Sequence, residues 1–445
     1  MRRLLWFRRD LRAEDNPLLS LEGDVLPIFI FDTNILEALE RTDRRVGMIH
    51  AMVVDLRRQM EALGLDLYVF HGDPAAVIGA LQERFGFDEV CASGDFDAYA
   101  LERDRRVSQI LSFNLLHDTY IFRPEEMLKD DGTPFLVFTP FYRAGRARFT
   151  PEHLREYARA EQRLLPFDAP PPTLEALGFA GGSELPDPPE SLLERFAPKL
   201  ASYKDDRDRL DRDGTSGLSV ALRFGTVSVR AVLRWLVERK HEGIDTEPFS
   251  RQLLFRDFYA HMLCHFPDLA WKNFRYAWNG IEDAERHTAF CEGRTGFPVV
   301  DAGVRELVAT GNMHNRVRMI CASFYTKDLL LPWQRGERFF AAHLNDYDAA
   351  SNILGWQWSA GTGIDPQPWF RIFNPWLQSR KFDPDAVYIK RWCPELQYAE
   401  AKQLHDEAWM AEHAPRGYPK PVVRHKAAAE AALAHFKTDT GGMHA

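Results

Sequence analysis

VLPIFIF, residues 25–31, is an unbroken apolar run rich in β-branched and aromatic side chains. It is too short for an ordinary helix and has no polar face, so it reads as a strand buried on both sides. Upstream, LLWF at 4–7 is a second such run. Downstream, residues 44–63 (RRVGMIHAMVVDLRRQMEAL) carry helical periodicity, and LDLYVFHG at 65–72 reads as a strand. PAAVIGALQERFG at 74–86 then reads as a helix and DEVCAS at 88–93 as a further strand. This alternation predicts an α/β, Rossmann-like domain: a parallel sheet with helices on both faces. No GxGxxG follows the first strand, so the usual dinucleotide fingerprint is absent.

The chain has 445 residues, too many for one ordinary core. Residues 165–190 contain PFDAPPP, GFAGG and LPDPPE, which suit a long surface linker. Beyond them the pattern is helical, with helices expected at 217–240, 248–263, 300–311, 315–330 and 336–350. The expected division is an α/β domain over 1–130, a linker over 131–195 and a large all-α domain over 196–445.

A net charge of −9 argues against a protein that coats nucleic acid indiscriminately, and leaves room for a local basic patch. The five cysteines form no CxxC pair and no metal-ligand spacing, so they read as reduced thiols of a cytosolic protein without a metal centre. MRRLLWFRRDLR carries charges where a signal peptide needs an apolar stretch, and no run approaches the length of a membrane span. The expected setting is therefore the cytoplasm, away from any membrane. Nine of the eleven tryptophans fall between Trp271 and Trp409, a clustering that core packing alone does not call for.

Three blocks of the helical part carry candidate chemistry. Tyr203 and the run Thr215-Ser216-Gly217-Leu218-Ser219 bring hydroxyls and backbone N–H groups to a helix start, which suits a phosphate or merely a capped helix. Gln252, Phe255, Arg256 and Tyr259 share one helical face, mixing an amide, aromatics and a cation, as a binding face or as core. The third block reads GRTGFPVVDAGVREL (293–307), MHNRVRM (313–319), KDLLLPW (327–333), NDYDAASNILGWQW (345–358) and TGIDPQPWFRIFNP (362–375). Asn315, Arg318 and Met319 face one side at i, i+3 and i+4, while Arg316 points elsewhere, free to meet a phosphate. A buried Arg needs a carboxylate partner, and Asp346 is the candidate for Arg318.

These motifs closely resemble the photolyase–cryptochrome family, and the pattern is most similar to bacterial class I cyclobutane-dimer photolyases. The likeness runs from WFRRDLRAEDN at 6–16 to PKPVVRHKAAA at 419–429. It implies an α/β antenna domain, a linker and a helical domain holding a U-shaped FAD. Tyr203, Thr215, Ser216, Gly217, Leu218 and Ser219 would hold the FAD phosphates, with Arg256 also on the cofactor. Arg318 and Asp346 would pair beside the flavin ring, Asp348 near its polar edge, and Asn352 against its N5. The implied activity is light-driven repair of cyclobutane pyrimidine dimers in UV-damaged DNA, by electron transfer from excited reduced FAD. Gln252, Phe255, Asn315, Met319 and Trp358 match the lesion pocket, and Arg316 and Arg371 match DNA phosphate contacts. Trp356 and Trp333 match two members of the tryptophan chain that feeds electrons to oxidised flavin, with Trp278 the nearest candidate for its surface end. A monomer is expected.

The chain also departs from that pattern. Gln252 stands where the bacterial dimer photolyases usually carry Glu, and Phe255 where they carry Trp. Gln at this position also occurs in (6-4) photolyases, but those carry a His pair where this chain has MHNR, so Asn315 favours the cyclobutane dimer. A cryptochrome photoreceptor is the other alternative; Asn352 in place of the plant sensors' Asp argues for repair. For the antenna, Tyr99 and Ala100 stand where folate-binding relatives carry Asn-Glu. DFDAYALERDRRV looks more like relatives that bind a deazaflavin or a second flavin, with IFIFDTNIL at 28–36 expected to line the pocket; a bare domain without a second chromophore is the alternative.

Overall fold

A computed structural model describes residues 1–182 and 184–439. It resolves into two compact units, Met1–Ala201 with Ser216–His265, and Ser202–Thr215 with Phe266–Ala445.

The first unit is built on a parallel sheet of β1 (Arg2–Phe7), β2 (Gly23–Asp32), β3 (Tyr68–Gly72), β4 (Glu89–Ser93), β5 (Ser112–Leu116) and β6 (Gln162–Leu164). The order is β3-β2-β1-β4-β5, and β6 pairs with the start of β2. Leu5, Phe7, Phe29 and Phe31 enter one core, and Leu4, Trp6, Ile28 and Ile30 the other. Alternate side chains point to opposite faces, so two buried faces account for the unbroken apolar runs. The helices α1 (Arg44–Ala62), α2 (Pro74–Phe85) and α3 (Ala98–Ser108) connect the strands. Asp73 caps α2 through the Ala76 N–H, with Pro74 in its first turn, and Gly86 closes it in the left-handed region at φ 62°. β5 and β6 lie outside the expected strands: SFNLL is only partly buried and QRL is three residues long.

The unit continues through α4 (Phe138–Arg148), α5 (Val229–His241) and α6 (Glu247–His265). The single helix expected over 217–240 is interrupted. A short helix, Ser219–Phe224, ends at Gly225, whose φ of +65° and whose Cβ position 2.0 Å from the Arg9 carbonyl oxygen admit only glycine. Ser228 then caps α5 through the Ala231 N–H.

The second unit is helical: α7 (Ala284–Cys291), α8 (Pro298–Thr310), α9 (Asn315–Ser323), α10 (Trp333–His343), α11 (Ala349–Ala360) and α12 (His425–Asp439) are its main elements used below. α8 packs Val299, Val300, Val304 and Leu307 into the core. Gly303 lets it approach α9 closely, because a Cβ there would sit 2.2 Å from Val317. The helix expected over 315–330 is α9 followed by a π turn at Phe324–Asp328. The one expected over 336–350 ends at His343, and Asp348 starts a new helix by accepting from the Ser351 N–H. No helix among the described residues is long and apolar enough to cross a membrane.

Candidate functional site

The strongest cluster of expected residues lies on α9, α10 and α11. Arg318 Nη2 stands 3.0 and 2.9 Å from the two carboxylate oxygens of Asp346, and its Nε donates to the Met313 carbonyl at 2.9 Å. The ion pair expected from charge and spacing is thus formed. Asp348 caps α11 with its carboxylate 3.0 Å from the Ser351 N–H. Four residues on, Asn352 is buried, and its Nδ2 donates to Glu337 Oε1 at 2.9 Å and to the Glu337 carbonyl at 3.2 Å. Both donors of the amide are therefore spent on Glu337, which fixes its orientation and leaves Oδ1 as its presented acceptor. Burial raises the Glu337 carboxyl pKa, against the lowering effect of the Asn352 and Tyr347 hydrogen bonds. Glu337 is absent from the expected set, since nothing in the one-dimensional pattern couples position 337 to position 352.

One turn beyond Asn352, a Cβ built on Gly355 would meet no heavy atom within 4 Å, so this face of α11 has room beside it. An oriented amide, an ion pair and a helix face with space suit the polar edge of a planar hydrogen-bonding ring. By contrast Gly336 on α10 is filled: a Cβ there would lie 2.3 Å from the Trp356 ring. Trp356 is buried, edge-on to Phe340 at 4.8 Å and to Tyr325 at 5.5 Å. Trp333 is buried too, its Nε1 donating to Asn273 Oδ1 at 2.7 Å.

Trp278 does not stand at the surface as expected. It is 2% exposed, covered by α12, with Phe436 stacked on it at 5.2 Å and His435 edge-on at 4.9 Å. The exposed indole in that stretch is Trp271, at 52%. Arg316 is likewise not free: its Nη2 pairs with Asp208 at 2.8 Å and its guanidinium lies over Phe382. Asn315 is exposed with its Nδ2 3.7 Å from Met319 Sδ, Arg371 is exposed, and Trp358 is half-buried. Tyr203 is buried, and burial raises its phenol pKa against the effect of Arg207. Thr215 is exposed.

The first unit holds the remaining candidates. Ser216 Oγ accepts from the Leu218 N–H at 3.3 Å, Gly217 takes φ +71°, and Ser219 opens the short helix. On α6, Phe255 is half-buried against Phe138 at 4.2 Å and Tyr259 at 4.9 Å, and Gln252 is half-buried one turn away. Arg256, expected on the cofactor, donates to the carbonyls of Thr119 (2.6 Å) and Leu222 (2.9 Å) and lies over the Tyr120 ring. Two backbone acceptors and an aromatic face satisfy a half-buried guanidinium. On the opposite face of α6, Asp257 is fully buried and accepts from the N–H groups of Ile121 and Phe122.

The antenna expectation needs one correction. Ile28, Phe29 and Ile30 are packed into the cores on the two faces of β2, whereas Phe31 also lines a pocket with His50, Val53, Val69 and Pro172. Thr33–Leu36 emerges next to a polar group in which Tyr99 OH donates to Asp32 at 2.5 Å, Asn34 donates to Asp73, and Arg103 lies over Tyr99 and Trp6.

Residues 3–161 match the family model described as DNA photolyase, and residues 249–438 match the FAD binding domain of DNA photolyase. A deoxyribodipyrimidine photo-lyase of Synechococcus sp. is 36% identical, the match covering 95% of this chain and 93% of that protein. This chain belongs to the DNA photolyase family. Among solved structures, a bacterial class III photolyase from Agrobacterium tumefaciens superposes with a TM-score of 0.88 at 31% identity, over 99% of this chain and 98% of that one. An archaeal photolyase from Sulfolobus tokodaii, described with two FAD molecules, gives 0.83 at 28% identity, over 98% of this chain and 100% of that one. FAD is accordingly the cofactor of this photolyase's helical part, and the α10–α11 pair carries residues whose chemistry fits it.

Proposed function

We propose that this protein is a light-driven lyase that splits cyclobutane pyrimidine dimers in DNA. The observation that carries the reading is Asn352: its amide is locked by Glu337 with an oxygen acceptor presented, and it has no titratable proton to give. Such a group has no proton to transfer to the ring, which suits repair by an anionic flavin better than a photoreceptor's neutral radical. Bound FAD, once reduced and excited by light, supplies the electron that opens the cyclobutane ring and takes it back afterwards.

The chain's own groups position the reactants. Tyr203, Thr215 and Ser216–Ser219 bind the FAD phosphates, and the Arg318–Asp346 pair and Asp348 hold the polar edge of the ring. Gln252 and Asn315 offer amides to pyrimidine edges, while Phe255, Met319 and Trp358 offer apolar surface to a lesion extruded from the helix. A dimer is already poorly stacked, so its extrusion costs less than that of a normal base. Arg371, exposed, meets a DNA phosphate, and Arg316 does so on exchanging Asp208 for one. Trp356, Trp333 and Trp278 relay electrons to oxidised flavin. In this reading 1–130 is the antenna part, 131–195 the linker and 196–445 the catalytic part. A second chromophore of flavin or deazaflavin type binds near Asn34 and Tyr99; the two FAD molecules of the Sulfolobus protein support this. The protein acts as a monomer in the cytoplasm.

The test is a light-dependent repair assay on DNA carrying either cyclobutane dimers or (6-4) products. Repair of the former alone is expected; repair of (6-4) products alone, or of neither, overturns the assignment.

A further inference from the structure

The π turn at Phe324–Asp328 places a tyrosine where the tryptophan relay does not need one. Tyr325 is fully buried, and its ring stands edge-on to Trp356 at 5.5 Å and 89°. Its hydroxyl lies 2.8 Å from Nδ1 of His287 on α7. A buried phenol must place its proton on an acceptor, and among the described residues His287 is the partner found. The phenol therefore donates and Nδ1 accepts, which puts the imidazole proton on Nε2; Cys291 Sγ stands 3.8 Å from Nδ1 and 3.6 Å from Nε2. Burial, with Arg335 and Arg338 nearby, lowers the His287 pKa against the effect of Glu282, so the ring is a neutral base at pH 7. Burial also pushes the Cys291 thiol up to about 11, so it remains protonated and does not compete for the phenolic proton.

We propose that Tyr325 and His287 form a proton-coupled branch of the electron relay, in which a hole on Trp356 is passed to Tyr325 and trapped there. The inference rests on the reading of Trp356 as a relay member. The oxidant is the Trp356 radical cation, left when that indole gives one electron to light-excited oxidised flavin. Trp356 recovers one electron from Tyr325 and returns to the neutral indole. The phenolic proton crosses the hydrogen bond to His287 Nδ1. The products are a neutral tyrosyl radical and an imidazolium, so charge and electrons balance. Loss of the proton is what makes phenol oxidation downhill, and it needs a base within hydrogen-bond reach. The competing indole lacks one: Trp333 donates to the amide oxygen of Asn273, which is not a base. The Trp356 N–H has no acceptor among the described residues. A π turn is a recurrent device for re-aiming a side chain at a functional position.

The experiment is rapid-freeze electron paramagnetic resonance on the FAD-loaded, oxidised protein after a light pulse. A tyrosyl signal is expected, narrowing when the tyrosines carry ring deuterium, a readout that needs no substitution. Tyr325→Phe is expected to abolish it and leave a tryptophan radical. His287→Gln is expected to slow its appearance roughly 10²-fold or more, whereas a merely structural His287 leaves its kinetics unchanged. A tryptophan radical without a tyrosyl signal, or a tyrosyl signal that survives Tyr325→Phe, overturns the branch and leaves the relay standing. No light-induced radical, or photoreduction that is indifferent to Trp356→Phe, overturns the relay and the branch with it.

Discussion

Gly355→Ala separates the protein's own stability from its capacity for the cofactor. Gly355 sits inside α11, where a glycine costs about 0.5–1 kcal/mol relative to alanine. Its Cβ would meet no heavy atom within 4 Å, so the flavin-free protein accommodates the methyl without strain. Flavin-free Gly355→Ala is therefore expected to be more stable by about 0.5–1 kcal/mol in urea denaturation. If the space beside Gly355 and Asn352 receives the flavin ring, the same methyl overpacks the loaded site. Overpacking costs about 1–3 kcal/mol, which corresponds to roughly 5- to 150-fold weaker FAD binding. Quenching of flavin fluorescence in a titration measures it. Stabilisation with unchanged FAD affinity would refute the placement of the ring, and destabilisation of the flavin-free protein would refute the open space itself.

Gly336→Ala should act in the opposite sense without any ligand: its Cβ overlaps a Trp356 ring held by Phe340 and Tyr325, and a loss of about 1–3 kcal/mol is expected in urea denaturation, partly offset by helix propensity. Asp257 gives a pH signature. Its pKa is pushed up to about 7 by burial, so the folded state holds a proton that the unfolded chain has lost above about pH 4. Its contribution is complete below that pH and is lost as pH rises towards 7, by up to about 4 kcal/mol. The stability difference between Asp257→Asn and the parent should therefore grow in favour of the variant between pH 4 and 7, and a flat difference would mean the carboxyl is already ionised. Comparison of the two cancels His261, whose pKa is lowered to about 3 by burial and which loses stability as pH falls from its ordinary value. Arg371→Ala should reduce the salt dependence of DNA binding by about one phosphate's worth. Arg316→Ala should reduce it less, and Asp208→Asn should strengthen binding, because Asp208 already neutralises Arg316; equal effects of the two arginine variants would contradict that pairing.

The sequence determined by itself those features whose cause is local. VLPIFIF and LLWF announce strands because both faces of β1 and β2 are buried, and residues 65–72 and 88–93 read correctly for related reasons. SFNLL and QRL do not, because partly buried or three-residue strands leave no such run. Helix breaks were hidden for another reason. Gly225 ends its helix because the Arg9 backbone, far away in the chain, leaves no room for a Cβ. The Arg318–Asp346 pair was legible because an inward cation demands a carboxylate and few are near enough in the motif to serve. The lock between Asn352 and Glu337 was not, because it exists only where Gly336 lets α10 lie against Trp356 of α11. Nor could spacing reveal that Phe436 buries Trp278, that Asp208 takes Arg316, or that Tyr325 meets His287. Periodicity records which side of one element faces inward; the partner met there is chosen by the packing of distant segments, and tertiary structure alone decides it.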